Sequence, residues 1–181
     1  FARKIMIDIC LPYCNEKTII CCTDADTILH PDYIYKIYNY FDHNKVYAVS
    51  IGFKHQSGKT AKEQNAINEY EDYLYDTAKK IKDCGLPYGY VSIGSAMAFS
   101  VNAYISIGGM NTRKATEDFY FLQEIAKTKH VNTIDEVLVF PSSRISNRVH
   151  LGTGYNINRI IDGTKSFGYS NLSFTILKKF V

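Results

Sequence analysis

The sequence predicts an α/β fold in which strands alternate with helices around one sheet. Residues 18–23 form a short apolar run rich in β-branched side chains, which is too short for a helix and is typical of a buried strand. Residues 46–51 alternate as a strand does, and residues 62–83 place apolar side chains near a 3.6-residue period. Strands that alternate with helices in this way favour a sheet flanked by helices.

The other elements follow from the same periodicities and from local stop and start signals. Gly85 and Pro87 end the helix over 62–83, and Thr116 is a plausible N-cap residue for a later helix. We predict helices over 2–9, 31–42, 62–83, 100–108, 116–127 and 155–162, and strands over 18–23, 46–51, 90–99, 131–134 and 137–140.

Composition bounds the class of protein. The 181 residues suffice for one domain, and 46% of them are hydrophobic, which is typical of a globular chain. The net charge of +3 is too small and too dispersed to indicate a nucleic-acid partner. No apolar run approaches the ~20 residues that a membrane span needs. The five cysteines, an odd number, favour reduced thiols in a cytosolic protein.

The motif Asp24-Ala25-Asp26 directly follows the predicted strand 18–23. Two carboxylates spaced i, i+2 at a strand end can converge on one hard cation, for which oxygen ligands are suited. The alternative is a strand that ends in an acidic cap and a turn. A second motif, Gly94-Ser95-Ala96, lies inside the predicted strand 90–99. There a glycine allows close approach of a ligand or of another backbone, or else tight packing of a helix on the sheet.

Two further motifs lie nearer the C terminus. Gly108-Gly109 is followed by Glu117-Asp118 at a helix start, where one acid can serve as a general base or both can complement the helix dipole. The loop 144–154 contains arginines, a histidine and a Gly-Thr-Gly turn, which suit phosphate or metal contact or simply a solvated basic loop. Its spacing is neither that of a Walker loop nor that of a dinucleotide fingerprint.

The order of these motifs resembles that of the family 2 glycosyltransferases, which have the GT-A fold. The resemblance covers most of residues 1–160 and implies a partial GT-A mixed sheet flanked by helices. Its closest parts are Asp24-Ala25-Asp26, Gly-Ser-Ala-Met-Ala at 94–98, Gly-Gly-Met-Asn at 108–111 and Glu-Asp-Phe-Tyr-Phe-Leu at 117–122.

The resemblance implies an inverting transfer of a hexosyl group from a nucleotide-sugar donor to a carbohydrate or glycolipid acceptor, with Mn²⁺ or Mg²⁺ as cofactor. It further implies bacterial surface polysaccharide or glycolipid synthesis in the cytoplasm, and leaves open peripheral attachment to the inner face of the membrane. It assigns the donor and its diphosphate to Asp24, Arg148, Gly94 and Ser95, the metal to Asp26 and His150, and catalysis to Asp118 as general base with Glu117 beside it.

One departure from the family concerns the N-terminal part. Relatives begin with a strand and a Pro-Val-Tyr-Asn-type turn that holds the nucleotide base, and nothing similar precedes Thr18. We therefore expect residues 1–181 to be a single incomplete domain, with a catalytic core portion over 1–160 and a tail over 161–181. Such a portion would lack the uridine or guanosine pocket, would be inactive alone, and would self-associate through an exposed strand edge.

Two other functions fit parts of the pattern. A nucleotidyltransferase has a similar sheet with paired acids but needs a Gly-rich basic phosphate loop near its N terminus, which the sequence lacks. A non-catalytic carbohydrate-binding or assembly module would suit the 15 tyrosines. The released product, nucleoside diphosphate or pyrophosphate, separates the first from a glycosyltransferase, and the activity of an Asp118→Asn variant separates the second.

Overall fold

A computed structural model describes residues 2–112, 116–144, 152–164 and 168–181. Its helices are α1 (Ala2–Cys10), α2 (Tyr33–His43), α3 (Ala61–Asp83), α4 (Val101–Ser106), α5 (Glu117–Thr128), α6 (Thr153–Ile161) and α7 (Asn171–Leu177), with a 3₁₀ turn over Leu11–Tyr13. Its strands are β1 (Ile19–Cys22), β2 (Ile28–Leu29), β3 (Ala48–Phe53), β4 (Met97–Ser100) and β5 (Val131–Phe140). The predicted α/β class is confirmed.

Within the described residues, five strands form one mixed sheet in the order β1-β4-β3-β5-β2. β3 and β5 are parallel, and the other neighbours are antiparallel. The carboxyl ends of β1, β3 and β5 therefore lie at the same end of the sheet as the amino ends of β4 and β2. The loops that carry Asp24, Gly94 and Arg144 consequently meet at this end of the sheet.

The two faces of the sheet support separate hydrophobic cores, because side chains alternate along each strand. Phe99 packs with Phe121 and Leu122 on the face that α4 and α5 cover, and all three are at most 1% exposed. The neighbouring Ala98 packs with Ile37 of α2 on the opposite face. A smaller cluster between α3 and α6 includes Ile67, Tyr70 and Ile157. α5, whose first turn contains Asp118, is therefore fixed by burial of its apolar face.

Strand β5 is continuous where the sequence predicted two short strands. Its register against β3 shifts at Gly52, so that Asp135 and Glu136 bulge between the two predicted segments. A Cβ atom at Gly52 would lie 2.4 Å from the Glu136 carbonyl oxygen. Only glycine allows the two backbones to approach this closely at the bulge.

The predicted strand over 90–99 is wrong for most of its length, since β4 begins only at Met97. Gly94 and Ser95 lie in the preceding turn, which the Ala96 amide closes by donating to the Ile93 carbonyl at 2.9 Å. The segment before this turn contacts β3 through a side chain, since the Ser50 hydroxyl donates to the Val91 carbonyl. The mixture of apolar and small residues over 91–96 suggested a strand in the sequence but forms an irregular segment that ends in a turn.

Two further differences between prediction and structure concern helices. Thr116 occupies the N-cap position of α5 but is left-handed (φ 61°, ψ 23°), and its side chain makes no capping hydrogen bond. Helix α7 was not predicted; the Ser170 hydroxyl caps it by accepting from the Leu172 amide at 3.2 Å. None of the helices in the described part of the chain combines the length and the apolarity that crossing a bilayer requires.

Candidate active site

The Asp24-Ala25-Asp26 motif lies across one end of the sheet. Residues 23–27 connect β1 at one edge to β2 at the other, and the Thr27 amide donates to the Asp24 carbonyl at 3.0 Å. The side chains of Asp24 and Asp26 are 51% and 49% exposed. Ligands of open α/β sheets bind outside the carboxyl ends of the strands, and the motif lies at this place.

Arg3 of α1 joins the donor-side and acceptor-side acids of the predicted site. Its guanidinium Nη2 lies 2.9 Å from Asp24 Oδ1, and its Nη1 lies 2.9 Å from Glu117 Oε1. The Arg3 side chain is only 19% exposed, so both contacts are shielded in part from water. Sequence reasoning missed Arg3, because one arginine in a short helix gives no local signal.

Gly94 leaves the space that the Arg3 guanidinium occupies. A Cβ atom at Gly94 would lie 2.8 Å from Arg3 Nη1 and 2.9 Å from Nη2, closer than side chains tolerate. A close approach to this glycine was predicted, although the partner is a side chain rather than a ligand or backbone. The next residue, Ser95, is buried, with 1% exposure. A donor-binding role of Gly94 and Ser95 stays a prediction.

Glu117 and Asp118 begin helix α5, as the sequence predicted. Burial raises the pKa of Asp118 above its ordinary value of 3.8, and the negative charge of Glu117 acts in the same direction. A hydrogen bond from the Phe119 amide to Asp118 Oδ1, at 2.8 Å, and the charge of Arg3 oppose this increase in pKa. The Asp118 carboxylate is therefore more basic than that of an exposed aspartate, which suits acceptance of a proton.

Asp26 contacts the beginning of the predicted basic loop. Its Oδ2 lies 3.4 Å from Nη2 of Arg144, and both side chains are largely exposed. Arg148 and His150, the two residues predicted from the same loop, lie outside the described residues. Arg144 therefore brings a cation to Asp26 in the part of the loop that the structure describes.

The described side chains suit a metal ion that is bound jointly by protein and substrate, rather than one that is surrounded by protein ligands alone. Over residues 2–112, 116–144, 152–164 and 168–181, no group of three or more His, Cys, Asp or Glu side chains is close enough to hold a metal. Asp24 and Asp26 nevertheless fit a cation of the Mg²⁺ type, which commonly uses one or two carboxylates and completes its shell with substrate phosphate oxygens and water. The hydroxyl of the next residue, Thr27, is buried and has no hydrogen-bond partner in the described structure.

Comparison with known proteins identifies the family of the chain. The family model described as Glycosyl transferase family 2 matches residues 7–108, which is more than half of the chain. The match contains Asp24, Asp26, Gly94 and Ser95 and ends before Glu117. No curated protein matches the chain. The mixed sheet flanked by helices is consistent with the predicted GT-A-like fold of nucleotide-sugar transferases. The chain belongs to glycosyl transferase family 2.

Proposed function

We propose that the protein is a metal-dependent, inverting glycosyltransferase whose site contains the acids of the Asp24-Ala25-Asp26 motif and of the first turn of α5. Family membership supports glycosyl transfer in general and implies a nucleotide-sugar donor and an acceptor. The observation that carries the finer proposal is the double contact of Arg3, at 2.9 Å to Asp24 and 2.9 Å to Glu117. Asp24 and Glu117 thus contact the two Nη atoms of one guanidinium. The start of α5, which contains Asp118, therefore lies close to the Asp24-Ala25-Asp26 motif.

Asp118 is the general base in this proposal. An acceptor hydroxyl is a poor nucleophile until a positioned carboxylate takes its proton. As the Asp118 carboxylate accepts that proton, the hydroxyl oxygen forms a bond to the anomeric carbon of the donor. The bond from this carbon to the diphosphate oxygen breaks, and its electron pair leaves with the nucleoside diphosphate. Attack opposite the leaving group inverts the anomeric carbon.

The donor lies on the side of the Asp24-Ala25-Asp26 turn. In this proposal Asp24 would contact the ribose or the sugar, and Arg148, Gly94 and Ser95 would bind the diphosphate. Asp26, with His150, would hold Mn²⁺ or Mg²⁺, which neutralises charge that develops on the leaving diphosphate without a proton.

The finer identity of the substrates is also a proposal. We propose a hexosyl donor and a carbohydrate or glycolipid acceptor, used in synthesis of a bacterial surface polysaccharide or glycolipid. The reaction would take place in the cytoplasm, at the inner face of the membrane. The resemblance to the family is the support for this choice of substrates.

The test is release of nucleoside diphosphate by the full-length protein from a panel of UDP-, GDP- and dTDP-hexoses with Mn²⁺ or Mg²⁺. Asp118→Asn should lower kcat by at least about 100-fold, because a neutral amide cannot accept the proton. Glu124→Gln is the matched control, since Glu124 lies on the same helix but pairs with Lys127 at 2.6 Å. It should change kcat less than about twofold. Near-normal kcat for Asp118→Asn would exclude the proposed base.

A second measurement tests the metal and the stereochemistry. Chelation by EDTA and the Asp26→Asn substitution should each abolish most of the activity, and added Mn²⁺ should restore only the chelated protein. The product anomer, assigned by proton NMR, should be opposite to that of the donor. Full activity in EDTA would refute metal dependence, and retention of configuration would refute in-line displacement.

A further inference from the structure

We propose that Gln56 is a positioning residue for Asp26, and that a buried pair of His55 and Glu71 holds Gln56 in place. The functional part of this inference rests on the role proposed above for Asp26. Neither Gln56, His55 nor Glu71 belongs to the motifs of the sequence analysis. They lie at the carboxyl end of β3 and on α3, adjacent to the turn that contains Asp26.

The Gln56 side chain ties the Asp26 turn to the end of β5. Its Nε2 donates to the backbone carbonyl of Asp26 at 2.8 Å and to that of Phe140 at 2.9 Å. An amide NH₂ group has two hydrogens, and here each meets a carbonyl oxygen. The oxygen end of the amide would repel both carbonyls, so the two contacts define the orientation of the group.

The backbone of the same segment is held along β5. The Lys54 amide donates to the Val139 carbonyl at 3.0 Å, and the Gln56 amide donates to the Pro141 carbonyl at 2.9 Å. These bonds continue the parallel pairing of β3 and β5 beyond the end of β3. They place the Cα atom of Gln56 within reach of the Asp26 turn.

His55 connects this segment to α3. Its backbone amide and its Nδ1 both bond to Glu71 Oε1, the ring contact being 2.8 Å. The imidazole is completely buried and meets the Phe53 ring edge-on at a centroid distance of 5.4 Å. Its Nε2 has no hydrogen-bond partner in the described structure. Glu71 is thus the polar anchor that fixes residue 55, and with it the neighbouring Gln56.

This support matters because the Asp26 side chain is exposed. Its Oδ2 contact to Arg144, at 3.4 Å, is long, and both side chains lie largely in solvent. Such a contact holds a carboxylate weakly. The direction of the Asp26 carboxylate is therefore set mainly by its backbone, whose carbonyl Gln56 holds. A ligand-binding carboxylate must be held close to its productive geometry by its surroundings.

The experiment compares Gln56→Met with Gln64→Met in the full-length protein. Methionine is similar in length to glutamine and cannot donate. Gln64 binds the same loop through the Gly58 amide, at 3.0 Å, but does not contact Asp26, so its substitution is the matched control. We measure hydrogen exchange over residues 24–27 and the affinity for Mn²⁺ with UDP and, separately, with GDP. The thermal midpoint is measured for both variants.

Gln56→Met should increase exchange over residues 24–27 at least about fivefold and weaken the Mn²⁺–nucleotide complex about tenfold, whereas Gln64→Met should change each less than about twofold. Normal exchange in Gln56→Met overturns the inference, whether or not the nucleotides bind. Faster exchange with normal affinity overturns the functional part. Asp26→Asn tests the proposed function separately. If this variant binds Mn²⁺ and nucleotide as the wild type does, the proposed role of Asp26 is wrong. The exchange result still decides whether Gln56 positions the Asp26 backbone.

The His55 step has its own test. Glu71→Gln keeps an oxygen acceptor for His55, and Glu71→Leu removes it. Exchange over residues 24–27 should stay near that of the wild type in Glu71→Gln and rise at least about threefold in Glu71→Leu. Equal exchange in the two variants would overturn this step. If Glu71→Leu does not fold, Glu71→Gln decides the step by itself, because fast exchange in a variant that keeps the acceptor would show that the acceptor does not hold His55 in place.

Discussion

Gly94→Ala tests whether the Arg3 contacts organise the site. The added Cβ atom would lie 2.8 Å from Arg3 Nη1, whereas ordinary contact begins at 3.4 Å, so the guanidinium must retreat by about 0.6 Å. A movement of this size along the bonds would lengthen the 2.9 Å contacts to Asp24 and Glu117 to about 3.5 Å. Both contacts would then be longer than the roughly 2.7–3.2 Å of ordinary N–H···O hydrogen bonds and correspondingly weaker.

The cost should appear in activity rather than in stability. The clashing atoms are the far end of a flexible side chain, and Asp24 is half exposed, so we expect a loss of about 1 kcal/mol or less in unfolding free energy. Displacement of catalytic groups by a fraction of an ångström to 1 Å can lower rates by about 100-fold. We therefore expect kcat/KM of Gly94→Ala to fall about 10- to 100-fold.

The assay combines urea unfolding with nucleoside diphosphate release by the full-length protein. Glu124→Gln is again the control, because the Glu124 side chain pairs with Lys127 rather than with Arg3, and its activity should stay within about twofold of the wild type. Gly94→Ala should add little to the loss already caused by Arg3→Met, since both act on one guanidinium. Normal activity of Gly94→Ala, or full additivity with Arg3→Met, would refute the reasoning.

Three further predictions concern stability and reactivity. Asp118→Asn should raise the unfolding free energy at pH 7. Burial raises the pKa of Asp118, so the wild type loses stability as pH rises from 3.8 through the folded-state pKa, and the variant does not. Urea unfolding at pH 3.5 should show no such gain. Gly52→Ala should cost about 2 kcal/mol or more by the same measurement, since its Cβ would lie 2.4 Å from the Glu136 carbonyl oxygen. Burial raises the pKa of the Cys22 thiol to about 12, so mass spectrometry should find it alkylated at least about 100-fold more slowly at neutral pH than the exposed Cys10.

Elements with a long or clean period could be predicted from the sequence. Helix α3 covers Ala61–Asp83 where 62–83 was predicted, and β1 covers Ile19–Cys22 where 18–23 was predicted. These elements have periodic apolar faces and clear stop signals, which are local properties. The turn at Gly94 was mistaken for a strand because so short a mixture of small and apolar residues has no period that separates a turn from a strand. The division of β5 was wrong because pairing with β3 continues through a bulge.

The acidic residues of the candidate site could also be predicted from the sequence, but the residues that contact them could not. Asp24 and Glu117 meet at Arg3, which is 21 residues from the first and 114 from the second. Gln56 reaches Asp26 across 30 residues. Contacts of this range leave no periodic trace in a single sequence. The roles of the metal and donor residues, including Arg148 and His150, stay predictions.

The sequence by itself determined the α/β class, the positions of most helices and strands, and the acids that follow β1 and begin α5, because periodicity, caps and turns are encoded over a few neighbouring residues. Only the tertiary structure decided that Arg3 stands between Asp24 and Glu117 and that Gln56 holds the backbone of Asp26. Those contacts depend on how α1, α5 and the end of β3 pack at one end of the sheet, which is a property of the whole fold.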